Sequence, residues 1–137
     1  MAFKVTWKKD MLFEGESPEG HKVMMDTSKE HGGSDSAAAP MQLVLLALGG
    51  CTGMDVIAIL RKMKNIPEEF YMEIESERAP EHPKVYKKTN IKYVFVGDLK
   101  EENVKKAIEL SQTKYCSVSA ILRGVGEVNY SYEIKRR

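Results

Sequence analysis

Two cysteines and one aspartate carry most of the chemistry this sequence can offer. Cys51 lies inside an apolar run that begins at Pro40, and Cys116 lies in Lys114-Tyr115-Cys116-Ser117-Val118. A thiolate is both a nucleophile and a redox centre, and two thiols in one reducing compartment leave three readings: buried small residues, a redox pair or metal ligands. No Cys-x-x-Cys or His-x-x-x-His spacing links the two cysteines and three histidines, which argues against zinc. Asp55 follows Cys51 by one helical turn and shares its face. An unpaired carboxylate there would raise the thiol pKa, so Asp55 is expected to position a cation or to take a buried hydrogen bond.

The element that must hold Cys51 is a helix from Pro40, whose missing N–H suits the first turn, to about Asn65, where Ile66-Pro67 stops it. At 1.5 Å per residue it would be about 35 Å long. Its first two thirds are apolar almost all round, so it should be wrapped by the rest of the chain. Gly49, Gly50 and Gly53 are poor helix formers, and imply that another element or a substrate approaches the backbone closely. Upstream, Phe3 to Trp7, Met11 to Phe13 and Lys22 to Asp26 read as three short antiparallel strands, with turn chemistry at Ser17-Pro18-Glu19-Gly20. Residues 27–39 read as a surface loop.

Downstream, Phe70, Met72 and Ile74 alternate with charged neighbours as a half-buried strand, and a longer extended run covers Val85 to Val96. Asp98, with Glu101 three residues on, predicts a capped second helix whose inner face is Val104, Ala107, Ile108 and Ser111. Thr113 to Ser117 breaks that period. Val118, Ile121 and Leu122 then predict a short third helix ended by Gly124, which puts Cys116 at or just before a helix start. Amide donors there are expected to lower its pKa. Val128, Tyr130, Tyr132 and Ile134 close the chain as a strand, and Lys135-Arg136-Arg137 reads as a solvated tail.

Length and charge bound the rest. Residues 1–137 are expected to form a single domain in which a partner subunit could matter. A net charge of +1 gives no electrostatic footprint for nucleic acid. Glycines, Thr52 and Asp55 interrupt the best membrane-spanning candidate, and Met1 to Lys9 lacks the apolar core of a leader, so a cytoplasmic protein with no membrane partner is expected.

The stretches Pro40-Met41-Gln42-Leu43, Leu48-Gly49-Gly50-Cys51-Thr52-Gly53-Met54-Asp55-Val56 and Lys114-Tyr115-Cys116-Ser117-Val118 resemble the OsmC/Ohr superfamily of osmotically inducible and organic-hydroperoxide-resistance proteins, in its broader OsmC-like branch. The resemblance covers essentially the whole chain. It implies an α+β fold, with antiparallel sheets wrapped around two long central helices in an intertwined homodimer. It also implies a thiol peroxidase of the oxidative stress response that uses neither metal nor flavin. By this analogy Cys51 attacks an organic hydroperoxide, Cys116 resolves the sulfenic acid as a disulfide, and an external dithiol of lipoyl or thioredoxin type reduces it.

The chain departs from that pattern at the groups which hold the thiolate. Well-characterised peroxidase members use an amino-terminal arginine and a glutamate near the start of the central helix. Here no arginine precedes Arg61, and Met41 occupies the glutamate position. Gln42 is polar but cannot replace a carboxylate. Lys22 or His21 from the early strands, and Arg78 or His82 from the proline loop, are the candidate replacement cations. The alternative reading is a non-catalytic OsmC-like protein that binds a small molecule or senses redox state.

Overall fold

The computed structural model describes residues 2–136, and the chain divides between Leu46 and Ala47 into two compact units. The first unit contains β1 (Lys4–Lys9), β2 (Leu12–Glu16) and β3 (Lys22–Met25), paired antiparallel in that order. The β1–β2 turn is shaped by Asp10 at φ 49°, whose carbonyl accepts the Trp7 indole N–H at 2.8 Å. Gly20, at φ 95°, turns the chain into β3 where a side chain would be strained. Phe3, Val5 and Trp7 remain largely exposed.

The loop after β3 is tied to one carboxylate. Asp26 is buried, and its oxygens accept from the backbone of Thr27 at 2.7 Å, Ser34 at 3.3 Å and Ser36 at 3.0 Å, and from the Ser36 hydroxyl at 2.6 Å. These donors hold its pKa down to about 2, against an ordinary 3.8. A depressed carboxyl contributes stability that is present above pH 4 and lost as pH falls towards 2. Asp26→Asn is therefore expected to melt several degrees below the parent at pH 7. Thermal melts followed by circular dichroism should show that gap shrinking between pH 4 and pH 2.

Helix α1 (Pro40–Lys62) runs across the boundary between the units. It stops three residues short of the expected Asn65, because Lys64 turns left-handed at φ 57°. By length and composition alone it could cross a membrane, its most apolar 18-residue stretch having a mean hydropathy of 2.2, a property that apolar core helices share. Its apolar girth is only partly covered: Leu48, Val56 and Leu60 are fully buried, whereas Leu46 and Met54 are exposed. The expected close approach is real at two glycines. A Cβ on Gly49 would meet Ile74 at 3.2 Å and one on Gly53 would meet Met72 at 3.0 Å, while Gly50 faces open space.

In the second unit β4 (Glu69–Arg78) and β6 (Glu127–Lys135) flank β5 (Tyr86–Val96). Phe70, Met72 and Ile74 are less exposed than their charged neighbours, as alternation requires. Phe70 stacks on Phe95 with centroids 4.7 Å apart. The β4–β5 pair is antiparallel, but β5–β6 is parallel, which corrects the expectation of purely antiparallel sheets. Between β5 and β6 the chain crosses over through α2 (Glu101–Leu110), a π-helical turn (Ser111–Tyr115) and α3 (Ser117–Arg123), and such a crossover returns the strand in the same direction.

Val104, Ala107, Ile108 and Ser111 are the buried face of this crossover, as their spacing predicts. Asp98 does not cap α2. Lys100 occupies the cap, its N–H donating to Asn65 Oδ1 at 2.9 Å, and Asp98 lies 3.7 Å from Arg136. The basic end is less free than expected: Lys135 closes β6 and Arg136 donates to the Leu99 carbonyl at 2.6 Å, while Arg137 lies outside the described residues.

Candidate functional site

Folding brings three of the predicted residues together in the second unit. The Sγ atoms of Cys51 and Cys116 and a carboxylate oxygen of Asp55 all lie within 4.8 Å of one another. Cys51 and Asp55 are one turn apart on α1, as read from spacing, and both are half-buried. Cys116 is the extended residue between the π-helical turn and α3, at φ −76° and ψ 103°, and is buried. The π-helical turn interrupts the period of α2 and releases the chain at Cys116. Both cysteines are free thiols.

Cys116 does cap α3, its sulfur accepting the Ser119 N–H at 3.4 Å. That donor does not lower the thiol pKa overall. Burial pushes the Cys116 thiol up to about 11, and the neighbouring Cys51 and the Asp55 charge add to the effect. The expectation of a lowered Cys116 pKa is thus corrected: desolvation outweighs the amide dipoles of a short helix. Cys116 therefore keeps its proton at neutral pH.

Asp55 is anchored by a buried chain of hydroxyls. Ser111 Oγ donates to Asp55 Oδ2 at 2.9 Å. With that proton committed, Thr52 Oγ1 must donate to Ser111 Oγ across 2.7 Å, and the Tyr93 hydroxyl must donate to Thr52 across 2.6 Å. The Gln112 amide donates to the Tyr93 hydroxyl at 2.8 Å and to Thr52 at 3.2 Å. Its carbonyl oxygen accepts from Ser119 Oγ at 2.7 Å and from an Arg123 N–H at 2.9 Å. Every hydroxyl proton from Tyr93 onward therefore points towards the carboxylate. Burial pushes the Tyr93 phenol up to about 12, so it stays a neutral donor. Among the described residues no buried side-chain nitrogen or oxygen lacks a partner.

Two openings adjoin this cluster. A cavity of about 230 Å³ is lined by Asp55, Ala58, Ile59, Lys62 and Tyr115. An apolar groove of about 530 Å³ runs along α1 beside Gly49, Gly50, Gly53 and Met54, walled by Phe70 and Met72. Three donors fall one short of a closed structural zinc site. The arrangement matches a thiol pair with a base beside it.

The other predicted helpers are engaged elsewhere. Gln42 and Lys22 belong to the first unit. Gln42 Oε1 accepts the Ala39 N–H at 2.9 Å at the start of α1, and Lys22 lies 3.9 Å from Glu14. Arg78 donates to the Lys84 carbonyl at 2.9 Å, bracing the turn after β4. Among the described residues, no hydrogen bond or ion pair joins Arg78 to either sulfur. Sequence reasoning missed Thr52, Tyr93, Gln112, Arg123 and Lys62. One signal was present: Ser111 is a hydroxyl at an inner-face position where apolar residues were expected.

Comparison with known proteins identifies the family and the fold. Residues 33–131 match the profile of the OsmC-like protein family. Protein YhfA of Escherichia coli strain K12 is 36% identical over 135 residues, which is 98% of both chains. A hypothetical protein of Aquifex aeolicus VF5 is 28% identical, covers 99% of this chain and 96% of its own, and superposes with a TM-score of 0.86. An organic hydroperoxide resistance protein OsmC from Legionella pneumophila shares the fold at 17% identity and a TM-score of 0.68, covering 98% of this chain and 97% of its own.

Proposed function

The chain belongs to the OsmC-like family, and from that membership we propose that it is a thiol-dependent peroxidase acting on organic hydroperoxides. Cys51 is the attacking sulfur and Cys116 the resolving one. The observation that carries this reading is the clustering of both Sγ atoms and the Asp55 carboxylate within 4.8 Å of one another. A sulfur nucleophile needs a partner thiol close enough to capture its sulfenic acid before further peroxide does.

The steps balance without a bound cofactor. The Cys51 sulfur bonds to one peroxide oxygen as the O–O bond breaks, giving Cys51 sulfenic acid and an alcohol. Cys116 then displaces water, forming the disulfide, and an external dithiol of lipoyl or thioredoxin type restores both thiols. The sulfurs must close from within 4.8 Å to about 2.05 Å, a shift within side-chain reach. The family arginine has no counterpart before Arg61. Lys62, on the wall of the cavity that Asp55 lines, is a candidate cation for that role.

The protein acts as a homodimer in the cytoplasm under this reading. Support for the dimer comes from Leu46 and Met54 on α1 and from Val5 and Trp7 on β1, large apolar side chains left exposed. The apolar groove beside Gly50 and the replaced arginine and glutamate favour a second reading, in which the protein binds a small apolar molecule and Cys51 at most senses redox state. Titrating the reduced protein with cumene hydroperoxide separates the two. A stoichiometric, dithiol-reversible Cys51–Cys116 disulfide in the peptide map is expected. Thiols that stay reduced at modest excess peroxide would leave the binding reading.

A further inference from the structure

We propose that Asp55 is the base of the resolving step, taking the proton from Cys116 as its sulfur attacks Cys51 sulfenic acid and passing it to the departing hydroxide. This inference rests on the peroxidase reading and assigns a role that no family helper fills in this chain.

Three observations converge on Asp55. One of its oxygens lies within 4.8 Å of both sulfurs, so a single carboxylate stands beside the donor of the proton and the sulfur whose oxygen receives it, a gap that one water or a side-chain rotation spans. Ser111 holds Oδ2, and among the described residues Oδ1 makes no hydrogen bond, so one oxygen is fixed and the other remains open to accept. The hydroxyl chain from Tyr93 through Thr52 to Ser111 aims its protons at the carboxylate and fixes its orientation from the protein interior.

The resolving thiol needs such a base. Burial and its neighbours keep Cys116 protonated at neutral pH, and a neutral thiol is a poor nucleophile. In the step itself the S–S bond forms as the Cys116 S–H bond and the Cys51 S–O bond break. The proton travels through Asp55 to the hydroxide, and water leaves. No oxidant or reductant beyond the sulfenic acid is consumed.

Other titratable or charged groups surround the site. Tyr93 on β5 contacts Thr52 and Gln112, and Arg123 on α3 is committed to Gln112. Lys62 and Tyr115 line the cavity beside Asp55, with Lys114 5.2 Å from the Tyr115 ring centre. Lys62, Lys114 and Arg123 are cations rather than acceptors, and Tyr93 is occupied, which leaves Asp55 as the acceptor.

The test is single-turnover oxidation of reduced Asp55→Asn by one equivalent of cumene hydroperoxide, with dimedone trapping and intact-mass analysis. Disulfide formation is expected to slow about 10²-fold, the usual loss for a general base, and sulfenic acid to accumulate. The rate in Asp55→Asn should climb about tenfold per pH unit as Cys116 ionises unaided, with the parent profile much shallower. A parent-like rate or pH profile in this variant overturns the proposal. A parent protein that forms neither sulfenic acid nor the Cys51–Cys116 disulfide overturns the peroxidase reading instead, which distinguishes the two failures. If Asp55→Asn does not fold, Ser111→Ala keeps the base but loosens it: about tenfold slower resolution with the shallow profile retained is expected, and an unchanged rate overturns the assignment.

Discussion

Under the peroxidase reading, Cys51→Ser is expected to consume no measurable hydroperoxide. A serine hydroxyl at this position is not ionised at neutral pH and cannot form a sulfenic acid, so the loss should be at least about 10³-fold in a coupled dithiol assay. Cys116→Ser should behave differently and thereby divide the roles. It should undergo one oxidation, then advance to sulfinic acid, seen by mass as a gain of two oxygens on Cys51, because nothing captures the sulfenic acid. The asymmetry follows from the proposed order of events: burial holds the proton on Cys116, which therefore acts second, on the sulfenic acid of Cys51. Equal loss of the first oxidation in both variants would contradict it.

Gly126→Ala is expected to destabilise the protein by about 3 kcal/mol, at the upper end for overpacking. Gly126 enters β6 after α3, and a Cβ there would collide with the backbone carbonyls of Tyr86 and Lys87 on β5. Those groups are main chain at the start of the central strand, so they cannot rotate away as a side chain would. The midpoint of urea unfolding measures the effect. A neighbouring control is Gly20, whose strain comes from φ 95° without any atom within 4 Å, and which should cost less on substitution by Asn, a residue that tolerates a left-handed backbone.

The parts that were legible in the sequence share one property: their signal is local. The span of α1, the half-buried alternation of β4, the inner face of α2 and the start of α3 at Cys116 are each written in a few consecutive turns or alternations. The parallel pairing of β6 was not legible, since alternation states which face is buried but not the direction of the neighbour. The pKa of Cys116 was misjudged for a related reason: helix position is local, whereas the burial that outweighs it is set by the whole unit. Thr52 and Tyr93 meet across 41 residues of chain, and nothing in either neighbourhood announces the other. Asp55 was found by spacing, yet what holds it was not.

Tyr93 stands at the middle of β5, fully buried between ring neighbours, and its hydroxyl also begins the chain that ends on Asp55. One residue thus serves the core and the polar cluster at once. Buried polar networks of this kind can often be replaced by well-packed hydrocarbon at no loss of stability. A lineage that abandoned the reaction would be free to turn Thr52, Ser111 and Gln112 apolar together, but not singly, because each intermediate strands a buried polar group. The site is therefore guarded by a valley in the evolutionary landscape. Replacing the thiols one at a time should therefore cost less stability than replacing the hydroxyls beneath them one at a time.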